Sequence, residues 1–114
     1  MIVLALTLML AADAPSTVER PDWITTPSNS DMADWMPDKA RENHVEGSAS
    51  MDCDVTPKGT LEKCVVTQEQ PEGYGFGKAA LKVARKFKMK PTSLDGQPTA
   101  GARVSVPLHW TDNR

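Results

Sequence analysis

The chain has 114 residues, a net charge of −2 and an ordinary globular composition, 39% hydrophobic and 25% charged. That length holds one compact domain, and the balance excludes a broadly basic nucleic-acid binder or a cationic membrane-surface protein. The charge is unevenly placed. Residues 1–77 carry 13 acids and 5 bases (−8), and residues 78–114 carry 2 acids and 8 bases (+6).

The first ten residues, Met1-Ile-Val-Leu-Ala-Leu-Thr-Leu-Met-Leu10, are apolar. A bilayer span needs about 20 such residues. The run fits the apolar centre of a secretory signal followed by Ala11, Ala12 and Ala14, which sets the expectation of a signal peptide over residues 1–14. A short buried strand is the alternative. No Lys or Arg precedes the run, and Pro15 disfavours cleavage after Ala14. The two cysteines, Cys53 and Cys64, are an even count without the paired C-x-x-C spacing of zinc or redox sites. Behind a signal-like segment they predict a disulfide and an oxidising compartment.

Residues 15–36 are rich in Pro, Ser, Thr and Asp and read as an irregular lead-in, pinned by Trp23 and Trp35. Ordered structure is expected from Pro37, with a short helix to about His44, because Pro suits a first helical turn and Asp38 complements a helix N-terminus. From Ser48 to Thr56 apolar and polar residues alternate, as in a half-buried strand. Thr56-Pro57-Lys58-Gly59-Thr60 is a hairpin turn. The return strand runs from about Leu61 to Gln68. Its apolar positions Leu61, Cys64 and Val66 share one face only if a bulge intervenes near Glu62-Lys63.

Pro71-Glu-Gly-Tyr-Gly-Phe-Gly77 leads into a second helix, from Phe76 to about Phe87. Phe76, Ala80, Leu81, Val83, Ala84 and Phe87 form its inner stripe, and Lys78, Lys82, Arg85 and Lys86 a basic outer face. That face is either solvated or a docking patch for an acidic partner. Pro91 ends the segment, Asp95-Gly96 turns the chain, and a last strand spans about Ala102 to Trp110. There Val104, Val106, Leu108 and Trp110 point inward. Helix, strand, strand, helix, strand predicts an α+β, two-layer domain over residues 37–112, with helices on one side of a three-stranded antiparallel sheet of order 2-1-3. The last strand would then lie on an open edge.

The order of local signals resembles the TonB C-terminal family. Trp35-Met36-Pro37-Asp38-Lys39-Ala40 with Val45-Glu46-Gly47 is similar to the opening of those domains. Asp54-Val55-Thr56-Pro57-Lys58-Gly59-Thr60-Leu61 resembles their hairpin. Phe76-Gly77-Lys78-Ala79-Ala80-Leu81 and Ala84-Arg85-Lys86-Phe87-Lys88-Met89-Lys90-Pro91 resemble their second helix and its exit. Asp95-Gly96-Gln97-Pro98 and Val104-Ser105-Val106-Pro107-Leu108 resemble the closing turn and strand. The cysteines and the glycine-rich loop look like a secreted, cysteine-bearing branch.

The resemblance implies a periplasmic location and a link to TonB-dependent transport. It also implies addition of a short extended segment, the TonB box of an outer-membrane transporter, to the last strand; an inner-membrane protein is another conceivable partner. Arg103, Val104, Ser105, Val106, Leu108, His109 and Trp110 would form that edge, whose unpaired backbone gives affinity. Pro107 removes one donor, facing either the partner or the neighbouring strand. A full transducer carries an inner-membrane helix and a Pro-rich spacer, and neither pattern is seen in these residues. The alternative is a structural protein that keeps the fold and pairs edges into a homodimer.

Catalytic patterns are poor. His44 and His109 are the only histidines, and Asp52 and Asp54 share an outer strand face without an evident pocket to shift their pKa. Gly73-x-Gly75-x-Gly77 lacks the spacing of phosphate loops. A non-enzymatic module is expected, with no cofactor, metal, nucleic acid or membrane span in the mature chain.

Overall fold

The computed structural model describes residues 16–112; the signal-peptide expectation over 1–14 lies outside them. The described chain runs β1 (Thr17–Val18), β2 (Trp23–Thr25), α1 (Asn29–Asp34), α2 (Asp38–Glu42), β3 (Gly47–Val55), β4 (Leu61–Gln70), α3 (Phe76–Val83), a 3-10 turn (Ala84–Lys86), β5 (Lys88–Met89) and β6 (Arg103–Trp110). Two sheets form, a four-stranded one of order β1-β6-β3-β4 and a two-stranded one, β2-β5.

Three strands of the main sheet, β4-β3-β6, are antiparallel neighbours in the expected order 2-1-3. The sheet nevertheless has a fourth strand. β1 pairs parallel to β6, Thr17 with Arg103 and Val18 with Val104, so the sheet is mixed and not purely antiparallel. Strict alternation of buried and part-exposed residues runs the length of β3, because one face meets the helices and the other meets water. β4 needs two bulges to stay in step. Asp52 pairs with Val65 and Asp54 with Glu62, leaving both Lys63 and Cys64 against Cys53. Lys63 takes φ 52° there, the left-handed conformation that an inserted residue adopts. The bulge returns Leu61, Cys64 and Val66 to one half-buried face, and Cys53 and Cys64 are joined by a disulfide across the hairpin.

The core holds Met51, Cys53, Val55, Phe76, Ala80, Val83, Met89, Val104, Val106 and Trp110. Phe76 and Trp110 pack with ring centroids 5.5 Å apart. α3 covers β3 and β4. Leu81, expected on its inner stripe, is instead 43% exposed. Within the regular helix it stands about 140° round the axis from Phe76, off the buried stripe; the helix ends at Val83 and the chain tightens into a 3-10 turn.

The lead-in is also more ordered than its composition predicted. Beyond β1, Trp23 packs on Phe87 with ring centroids 4.9 Å apart and planes tilted by 59°, and β2 pairs with β5. α1 starts with a capping box: Ser28 Oγ accepts from the Asp31 N–H, and the Asp31 carboxylate accepts from the Ser28 N–H. Both exchanges satisfy amides that the first turn leaves orphaned.

Candidate functional site

β6 is the element the sequence singled out, and its backbone defines what the edge can do. Along an antiparallel ladder, successive residues aim their N–H and C=O groups alternately at one neighbour and away from it. Two hydrogen bonds fix the phase. The Arg103 N–H donates to the Ser16 carbonyl at 2.7 Å, on the β1 side, and the Val55 N–H donates to the Ala102 carbonyl at 2.8 Å, on the β3 side. The β3–β6 register is continuous from Gly47↔Trp110 to Asp54↔Arg103. Even-numbered residues of β6 therefore bond β3, and Arg103, Ser105, Pro107 and His109 aim outward.

Arg103 and Val104 are not free edge. β1 lies along them, held further by the Gln97 side-chain amide on the Thr17 carbonyl at 3.2 Å, and Val18 is buried. On its outer side, among the described residues, the strand lacks a ladder partner from the Ser105 carbonyl to Trp110, the Ser105 N–H still belonging to the Val18↔Val104 pairing. Pro107 falls in the outward phase, so its missing donor is absent from the open edge and the β3–β6 ladder loses nothing. The edge offers the carbonyls of Ser105, Pro107 and His109 and, beyond Pro107, the single N–H of His109.

The side chains follow the opposite alternation. Val104, Val106 and Trp110 are buried, Ser105, Pro107 and His109 are exposed, and Leu108 is half-buried. Arg103 is fixed by Asp54 at 3.0 Å. Just past the strand, the Asp112 N–H donates to Glu46 Oε2 at 3.2 Å, and its carboxylate lies 3.5 Å from His44 Nδ1. The strand is thus tied down at both ends.

The basic face divides. Lys86 pairs with Asp31 at 3.7 Å, and Lys82 sits 5.6 Å above the Trp35 ring. Lys78 and Arg85 have no such partner among the described residues. The acidic lead-in thus already covers half of the basic patch. Asp31 is held below the usual carboxylate pKa chiefly by the Ser28 backbone N–H; partial burial opposes this, and the Ser28 hydroxyl and Lys86 assist. No group of three or more His, Cys, Asp and Glu residues that could hold a metal is present among the described residues. No described helix is long and apolar enough to cross a membrane.

The model of the Gram-negative bacterial TonB protein C-terminal matches residues 36–111. The chain belongs to the TonB C-terminal family.

Its fold is similar to that of the Pseudomonas aeruginosa TonB C-terminal domain determined by solution NMR. The TM-score is 0.59 at 13% identity, covering 90% of this chain and 98% of that one. It is also similar to the TonB2 protein of Vibrio anguillarum, with a TM-score of 0.50 at 16% identity, covering 100% of this chain and 96% of that one. An uncharacterized protein of Caulobacter vibrioides is 33% identical over 60 residues, 53% of this chain and 60% of the relative. The chain thus matches under two thirds of that relative's length. TonB C-terminal domains are protein-interaction domains of the bacterial envelope, generally linked to TonB-dependent transport, and a disulfide is consistent with that oxidising compartment.

The family match starts at Met36, and what sequence reasoning missed lies before it. β1 and α1 border the two ends of the β6 edge, yet both sit in the segment read as irregular. A signal for α1 was present: Ser28-x-x-Asp31 is a capping pair. Two-residue β1 carries no periodicity, and nothing local could have revealed it.

Proposed function

We propose that this chain is a periplasmic TonB-like module that docks an extended segment of the TonB-box kind, from an outer-membrane transporter, by adding it as a strand along β6. The observation that carries this reading is the outward backbone of residues 105–110, a bare sheet edge of about six residues that ends at β1 on one side and at the Asp112 clip on the other. Three carbonyls and one N–H await a partner there, and strand addition satisfies such groups directly. The single donor makes this a weaker edge than one with a full set, suited to a transient partner.

Dimerisation through the same edge has less support. A two-fold pairing of β6 with its copy brings two Pro107 residues into one ladder and forfeits a donor from each.

The test is capture of outer-membrane receptors from a periplasmic-envelope extract by the disulfide-intact domain, comparing wild type with His109→Pro. Pro at 109 removes the outward donor and leaves the β3–β6 bonds in place, as Pro107 already does. Receptors retained by wild type and lost by a folded His109→Pro variant support the reading. Equal capture by both contradicts docking on this edge.

A further inference from the structure

The basic outer face of α3 takes no part in strand addition, and the fold shows what one of its flanks accepts. Lys82 and Lys86 are four residues apart, about one turn. They are answered by Trp35 and Asp31, also four apart, from the C-cap and body of α1. The Lys82 ammonium lies 5.6 Å from the Trp35 ring centre, and Lys86 is 3.7 Å from the Asp31 carboxylate. Numbering rises along α1 as it falls along the basic face, so the two segments run in opposite directions. Asp34 and Asp38 border the same cleft as Lys78 and Lys82. On this flank three carboxylates, of Asp31, Asp34 and Asp38, thus stand near three ammonium groups.

The flank toward β4 repeats the spacing with the charge unbalanced. Leu81 and Arg85 are again four apart and both exposed, Leu81 at 43%. They border a cleft whose other wall is Leu61, Lys63 and Cys64 of β4. Neither Lys63 nor Arg85 has an ion pair among the described residues. Glu62 is the one acid bordering this cleft, against two bases. An apolar side chain set between unpaired bases suits a partner with a carboxylate and an apolar residue about one turn apart. A helix presents such a pair on one face. A continuous anionic surface fits less well, because Glu62 and the α1 carboxylates would meet it together with the bases.

We infer that the β4 flank of α3 docks a short acidic helix of a partner protein. The helix sets a carboxylate against Arg85 and Lys63 and, four residues later, an apolar side chain against Leu81. Its chemistry is that of Asp31 and Trp35 on the opposite flank, supplied by another molecule. This surface is separate from the strand-addition edge, since β4 and β6 lie on opposite sides of β3. Both surfaces can be occupied at once, and either reading can fail alone.

The probe is a displayed library of helical peptides with one randomised face, selected on the disulfide-intact domain and counter-selected on Arg85→Glu. Leu81 and Arg85 are exposed, so variants at both leave the core intact, and circular dichroism verifies the fold. The expected survivors carry Asp or Glu and, four residues later, a large apolar residue. They should shift the amide resonances of residues 61–64 and 81–85 and leave those of 105–110 unchanged. Leu81→Gln should weaken them about tenfold, the loss expected for one apolar contact. Arg85→Gln should weaken them about threefold, as for an exposed ion pair. An empty selection, survivors without the acid, or binding indifferent to Leu81→Gln overturns the inference. Sedimentation of wild type, but not Arg85→Glu, with anionic phospholipid vesicles would assign the face to a membrane and overturn it. Self-association of wild type that Arg85→Glu abolishes would assign it to a second copy and overturn it too. None of these outcomes bears on the His109→Pro comparison, so strand addition on β6 stands or falls separately.

Discussion

A Cβ atom built on Gly47 would lie 2.1 Å from Cε2 of Phe76. The ring of Phe76 therefore lies where any side chain at position 47 would begin. Phe76 is wholly buried, opens α3 and packs on Trp110, which is the β6 partner of Gly47. The missing side chain lets the helix seat its first aromatic against the end of the sheet beside the edge.

Gly47→Ala is expected to destabilise the fold by about 1–3 kcal/mol, the usual range for overpacking a well-filled core. Urea unfolding gives the value. Because the clash is with one ring, Gly47→Ala combined with Phe76→Leu should lose less than the sum of the single changes. Simple additivity would mean that the two sites are independent.

The Cys53–Cys64 bond closes a loop of separation 11. In the chain-entropy model such a loop is worth about 3 kcal/mol. The Cys53→Ala, Cys64→Ala double variant should keep the fold and unfold at a correspondingly lower temperature. Reductant should lower the wild-type midpoint and leave the variant's unchanged.

Asp31 is expected to make the start of α1 sensitive to acid. Its folded pKa lies below its unfolded value because the Ser28 N–H stabilises the carboxylate, so its contribution is present above the unfolded pKa and is lost as pH falls through the folded one. Asp31→Asn should therefore be less stable than wild type at neutral pH, with the difference shrinking in acid. A difference independent of pH would assign the effect to packing. The same change releases Lys86 from its partner.

Gly59 joins the β3–β4 turn to β5. Its φ is +87°, a Cβ there would meet the Met89 carbonyl at 2.1 Å, and its carbonyl accepts the Met89 N–H at 2.8 Å. Gly59→Ala combines the left-handed penalty, about 1 kcal/mol, with that clash. It should loosen β5 first, seen as faster amide exchange at Met89 than elsewhere in the sheet.

Legibility followed the range of the interactions. Strands β3, β4 and β6 were readable because their alternation reports one buried face. The bulge at Lys63 was readable because Leu61 and Cys64 are three residues apart yet needed on one side. Leu81 misled because its apolar character was taken for an inward position, whereas within the regular helix Phe76–Val83 it stands about 140° round the axis from Phe76. β1 was invisible because two residues, Thr17 and Val18, owe their conformation to Arg103 and Val104, distant in sequence. The strand β6 was thus legible, whereas its pairing with β1 at Arg103 and Val104 and the α1 residues Met32 and Ala33 beside its end were not.

Amide exchange at His109 on addition of a synthetic TonB-box peptide tests the central claim most directly. In the free domain this N–H points away from β3 and should exchange quickly, while the neighbouring Leu108 and Trp110 amides, bonded to β3, exchange slowly. The account predicts that peptide slows His109 to the rate of its neighbours and leaves Arg103, already bonded to Ser16, unchanged. Peptide binding that leaves the His109 amide fast would contradict docking on this edge.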